Sequence, residues 1–191
     1  AQSSGDFAQC VADWRKSFWK PGYYHELLRL LKHVILPGER VLDIGCGNGD
    51  ILASLRPSRA VGIDLSPRMI EVARERHGAV PEFDFHVADV CREGAFDAID
   101  GTFDVICVAG VMQEMHDVQR FLRNVRRVCT PRTRMIVVGY SNLWKWPLTL
   151  AEHIGLKRTQ PVENWLAPEF VANLLYLCDY EVVRELRHLV C

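Results

Sequence analysis

The sequence predicts an α/β fold built on a doubly wound, mostly parallel sheet. Three observations carry that expectation. Short apolar, β-branched runs alternate with stretches of helical period between Arg40 and Tyr140, the pattern of strands joined by crossover helices. A glycine-rich corner, Gly45, Gly47 and Gly49, follows the first of these runs directly. The later runs end in or pass into Asp64, Asp89 and Ala109-Gly110, so small and acidic residues gather at the carboxyl ends of the strands, where open α/β sheets hold ligands.

Composition narrows the class. With 191 residues, 49% hydrophobic and 25% charged, the chain suits one soluble globular domain with a sizeable core. A net charge of -1 does not mark a polyanion binder. The arginines at 123, 126, 127, 132 and 134 form a local basic cluster whose helical spacing predicts a solvated face. Seven cysteines show no C-x-x-C, and seven histidines no H-x-x-x-H, so no metal site is expected; Cys107 and Cys129 sit in apolar runs and read as buried thiols. No apolar stretch has the length of a membrane span and no signal-peptide core is found, so the expected location is cytoplasmic.

Residues 1–9 are small and polar, a tail. Trp14, Phe18 and Trp19 recur at helical spacing between Cys10 and Lys20, and a second amphipathic pattern runs from Tyr23 to Ile35 before Pro37-Gly38. The stretch Arg40 to Asp50, R-V-L-D-I-G-C-G-N-G-D, then reads as strand, tight turn and helix start. Glycines there admit positive φ and a close ligand, and the helix that follows, expected to reach about Arg56, offers free N–H groups. No G-K-[ST] follows, which excludes a phosphate loop, and Asp50 stands where the dinucleotide fingerprint needs glycine.

The G-x-G-x-G pattern, with Asp43 two residues ahead of it, resembles motif I of the class I S-adenosylmethionine-dependent methyltransferases. The resemblance implies a Rossmann-like methyltransferase fold and S-adenosylmethionine as cofactor, held here by Asp43, Gly45, Cys46 and Gly47. The second strand, Ala60 to Asp64, ends in a carboxylate suited to both ribose hydroxyls, through charge-assisted contacts of about 1.5–3 kcal/mol each. Leu65 follows it at the adenosyl site. Ser66 and Pro67 open the next helix as cap and first residue, and Met69 lies either against the adenine or in the core. After the third strand, Phe83 to Val87, the resemblance assigns Asp89 to the adenine amine and the Val90 region to its ring. The fourth run, Phe103 to Ala109, resembles motif IV and places Ala109 and Gly110 by the methionine end.

Glu114 stands where that motif commonly has histidine, with His116 two residues on; either is the candidate base. The N/D-P-P-Y stretch of enzymes acting on nucleic acid bases is missing, so no nucleic acid partner is expected. Val118 to Cys129 is an amphipathic helix and Arg134 to Tyr140 the fifth strand. Helices ahead of the first strand in this family pack over the cofactor mouth, so Trp19, Tyr23, Tyr24 and His25 belong either to a lid or to a face packed on the sheet. Tyr24 and Tyr140 either face the sulfonium or wall the pocket.

The remainder contains N-W-L-A-P-E-F from Asn164 to Phe170. It resembles bacterial methyltransferases with a similar segment, some fused to polyprenyl-sugar glycosyltransferases, and implies an acceptor side formed by Tyr140, Asn142, Trp144, Asn164 and Trp165. Helices are expected at Leu148 to Leu156 and Pro168 to Leu177, and a sixth strand from Tyr180 to Leu189; the seventh strand usual in the class is not found. One domain results: N-terminal helices and possible lid (1–36), cofactor core (37–140), acceptor-side helices and last strand (141–191). The function expected is methyl transfer to a small-molecule or lipid-linked acceptor. The alternatives are a non-catalytic S-adenosylmethionine-binding regulatory or assembly subunit, and a nicotinamide-dependent oxidoreductase, which shares the strand-end aspartate but not the glycine spacing.

Overall fold

The computed structural model describes residues 20–139 and 167–186, with side chains from Tyr24 onward. Five strands, β1 (Arg40–Ile44), β2 (Arg59–Asp64), β3 (Phe83–Val87), β4 (Val105–Ala109) and β5 (Arg134–Val138), form one all-parallel sheet in the order β3-β2-β1-β4-β5. The order reverses between β1 and β4, and at such a switch point the loops leaving neighbouring strands splay to opposite faces and open a crevice.

Side-chain alternation along β1 explains the two layers of helices. Leu42 and Ile44 join a core with Ile106, Val108, Phe121 and Leu122 on one face, while Val41 joins Leu31, Leu52, Ile70 and Phe85 on the other. The second face is covered by α1 (Lys20–Val34), α2 (Asp50–Ser54) and α3 (Pro67–His77), the first by α4 (Val118–Val125) and the loop between β3 and β4. A strand buried on both sides has no polar face, so β4 reads as a continuous apolar run. No helix among the described residues is long and apolar enough to cross a membrane.

Local chemistry sets the helix ends. Ser66 accepts from the Met69 N–H with Pro67 as first helical residue, and Asp117 caps α4 by accepting from the Arg120 N–H at 2.9 Å. The helix expected from Val118 to Cys129 stops at Val125 and tightens into a 3-10 turn, Arg126–Val128. The helix after the glycine corner ends at Ser54, because Arg56 takes a left-handed φ of 54°. The last described segment packs through α5 (Pro168–Leu177), as expected, where the Tyr180 hydroxyl donates to the Leu122 carbonyl at 2.9 Å.

The sixth strand is corrected in part. Residues 181–186 join no ladder with the described strands. Tyr180 anchors the segment, and Val182 and Val183 beyond it are exposed, so the apolar pattern there is not covered by a neighbouring strand. The five arginines of the basic cluster are exposed as expected, and three of them are paired, Arg126 with Asp179, Arg127 with Asp97 and Arg134 with Glu39.

Candidate cofactor site

The chain leaves β1 while still tied to β2, since the N–H groups of Gly45 and Cys46 both donate to the Ile63 carbonyl, at 2.8 and 3.1 Å. Gly45, Gly47 and Gly49 then take φ of 73°, 55° and 77°, values that cost other residues strain. Space is a second requirement, and the protein itself imposes it. A Cβ on Gly45 would stand 2.8 Å from the Val111 Cβ, and one on Gly49 would meet the Phe85 ring at 3.0 Å. Cys46 is buried; its thiol packs over Gly62, where a Cβ would come within 2.7 Å of the sulfur. Its N–H and carbonyl are bonded to Ile63 and Gly49, so Cys46 shapes the corner.

Asp64 links this corner to the next helix. One carboxylate oxygen accepts from the Gly47 N–H at 2.9 Å and the other from the Ser66 N–H at 2.8 Å. The loop after β3 lies alongside, because the Ala88 N–H donates to the Asp64 carbonyl at 3.1 Å. On that loop Asp89 accepts from the Cys91 N–H at 3.0 Å and pairs with Arg92 at 3.3 Å. At the end of β4, Gly110 has a φ of 74° and donates to the Val138 carbonyl, which sets Val111 over Gly45.

The glycine corner, Asp64, the loop of Asp89 and Gly110 are thereby brought to one edge of the sheet. Leu65 is 59% exposed at that edge, whereas Met69 is 6% exposed and belongs with the core, and Val90 is buried. Asp43 lies within β1, opposite Gly62 on one side and Cys107 on the other. The Cys107 thiol is pushed well above its ordinary range by burial first, then by Asp43. Tyr24 is half-buried on α1 and His25 is exposed. A carboxylate for a diol, an open apolar surface for a base and a glycine corner without projecting side chains suit S-adenosylmethionine. Trp19, Tyr140, Asn142, Trp144, Asn164, Trp165 and the side chain of Tyr23 lie outside the described residues, as do the expected helix at Leu148 to Leu156 and all of the expected helical stretch Cys10 to Lys20 except Lys20, which opens α1.

The candidate bases separate. Glu114 ends a 3-10 turn, Met112–Glu114, and is exposed. His116 is exposed too, but its ring nitrogen lies within 4.8 Å of Asp89 and Cys91 ligand atoms, at the β3 end of the rim. Gln113 lies beside the exit of β5, where its side-chain nitrogen would stand 3.3 Å from a Cβ on Gly139. Sequence reasoning passed over it. The available signal was Met112 and Met115, both buried and three apart, a spacing that turns the residues between them away from the core.

Residues 42–137 match the family model described as a methyltransferase domain; this is half of the chain, which therefore belongs to that family of S-adenosylmethionine-dependent enzymes. A demethylmenaquinone methyltransferase of Symbiobacterium thermophilum is 28% identical over 134 residues, covering 68% of this chain and 53% of that protein. The one from Tropheryma whipplei is 32% identical over 110 residues, covering 56% and 44%. The chain thus spans about half the length of these curated relatives. A solved structure of an S-adenosylmethionine-dependent methyltransferase from Thermotoga maritima has a TM-score of 0.70 at 20% identity, covering 92% of this chain and 80% of that one, which shows the shared fold.

Proposed function

We propose that the chain transfers the methyl group of S-adenosylmethionine to a small-molecule or lipid-linked acceptor. The observation that carries this reading is the Asp64 carboxylate, bonded to Gly47 at the edge where the loops after β1, β2, β3 and β4 converge. When bound, the cofactor supplies a methyl carbon already activated by its sulfonium, so the chain's own work is binding and alignment. Asp64 would take the ribose hydroxyls, Leu65 and Asp89 the adenine, and Ala109 and Gly110 the methionine end.

The acceptor is assigned to the β4–β5 side, where Gln113 reaches Gly139 and where Tyr140, Asn142, Trp144, Asn164 and Trp165 are proposed to continue the wall. An acceptor atom bonds to the methyl carbon as the carbon–sulfur bond breaks. A hydroxyl acceptor must also lose its proton, and Glu114 is the better-placed base, since His116 stands with Asp89 at the adenine end. Demethylmenaquinone methyltransferases among the relatives support a lipid-linked acceptor. The resemblance of Asn164 to Phe170 to enzymes fused with polyprenyl-sugar glycosyltransferases supports one carrying a polyprenyl chain.

The absence of histidine at Glu114 favours a second reading, a cofactor-binding subunit without catalysis. Incubation with methyl-labelled S-adenosylmethionine and a cell extract separates the two. Labelled product with the wild type and none with Asp64→Ala supports the enzyme; binding of cofactor without any labelled product supports the subunit. Replacement of Gln113 by alanine should lower acceptor turnover while leaving S-adenosylhomocysteine affinity unchanged, and the reverse would remove Gln113 from the acceptor side.

A further inference from the structure

Asp89, Cys91 and His116 bring a carboxylate oxygen, a thiol sulfur and an imidazole nitrogen within 4.8 Å of one another. They come from two loops that other contacts already hold together. Asn124 on α4 donates from its side chain to the carbonyls of Val90 and Arg92, at 3.1 and 2.8 Å, and Cys91 packs in one core cluster with Met115 and Val118. Cys91 is 2% exposed and His116 exposed, so one side of the cluster is fixed in the core while the other is open to solvent.

We propose that these three side chains form a binding site for a borderline-soft divalent metal, zinc foremost, and that its occupation competes with the adenosyl group for Asp89. Oxygen, sulfur and nitrogen donors together suit zinc rather than magnesium or calcium. Bonds of about 2.0–2.3 Å separate tetrahedral ligand atoms by roughly 3.3–3.8 Å, so shifts of about an ångström from separations within 4.8 Å close the set. The Cys91 thiol releases its proton to solvent as the sulfur–metal bond forms, and carboxylate plus thiolate then neutralise the ion. Asp89 must leave Arg92, whose side chain is 80% exposed, a weakly held partner. Solvent supplies the fourth ligand. The metal site stands on the cluster alone, whereas the competition rests on the assignment of Asp89 to the adenine.

Cobalt(II) titration of the full chain, followed by absorption, reads the site directly. One equivalent should produce a thiolate-to-cobalt band in the near ultraviolet that zinc displaces. Cys91→Ser should abolish the band, and His116→Ala, an exposed position where folding is not at risk, should weaken cobalt binding by about tenfold or more. Calorimetry should then show S-adenosylhomocysteine binding weakened by about tenfold or more in saturating zinc, through simple competition, with no zinc effect in Cys91→Ser. A missing band, or wild-type cobalt affinity in His116→Ala, overturns the site; zinc-independent cofactor affinity overturns the competition. Failure of S-adenosylhomocysteine to bind without zinc would instead overturn the cofactor assignment, with the cobalt result still standing or falling on its own.

Discussion

At the scale of the residue, Asp64 and Gly45 each serve two purposes. Asp64 holds the Gly47 and Ser66 N–H groups and is proposed to hold the ribose. Asp64→Ala should therefore weaken S-adenosylhomocysteine binding by on the order of a hundredfold or more, the loss of two charge-assisted bonds of about 1.5–3 kcal/mol each. It should also lower stability by about 1–3 kcal/mol through unsatisfied N–H groups; calorimetry and urea unfolding read the two separately. Gly45 needs both its left-handed φ and its missing Cβ, which would press on Val111 at 2.8 Å. Gly45→Ala should cost about 2–4 kcal/mol in urea unfolding from overpacking and backbone strain. Adding Val111→Ala should recover only the packing part; full recovery would show that the φ carries no strain. The sequence made these glycines legible as a corner, but their tightest neighbours are protein atoms from β3 and the loop after β4, which no local pattern shows.

At the scale of the element, β1 and β4 are joined where they begin. Asp104 accepts from the Arg40 guanidinium at 2.8 and 3.1 Å and from its N–H at 2.9 Å. The Arg40 side chain first, and its N–H next, hold the Asp104 carboxyl down to about 2 from 3.8. A depressed pKa contributes stability above the ordinary carboxylate value and loses it as pH falls toward the folded one. The stability gap between wild type and Asp104→Asn should thus be constant above about pH 5 and close between about pH 4 and 2; a gap that widened on acidification would contradict the pairing. Both side chains are 41% exposed, so the gap should be small and sensitive to salt. The strands themselves were legible, β3 to the residue and the others within two, because covered central strands such as β4 leave near-continuous apolar runs and the edge strand β3 alternates Phe83, Phe85 and Val87 with polar residues. The stretch after Tyr180 misled for the complementary reason: its adjacent β-branched valines, Val182 and Val183, favour a strand, yet they are exposed and meet no described ladder.

At the scale of the whole molecule, the site arises where strand order reverses, and what the sequence disclosed divides along that line. Glycine corner, Asp64, Asp89 and Gly110 were each visible as strand-end residues, since a parallel sheet sends all its carboxyl ends to one edge. The position of His116 was not visible, because a 3-10 turn intervenes and carries it to the loop after β3. For the same reason the Asp89, Cys91 and His116 cluster escaped a search for metal-ligand spacing. The most direct test is a crystal structure of the chain with S-adenosylhomocysteine. The expected placement has ribose hydroxyls within hydrogen-bond reach of Asp64, adenine between Leu65 and Asp89, and the amino acid end beside Gly110. A ligand bound elsewhere, or bound here with its ribose away from Asp64, would contradict it.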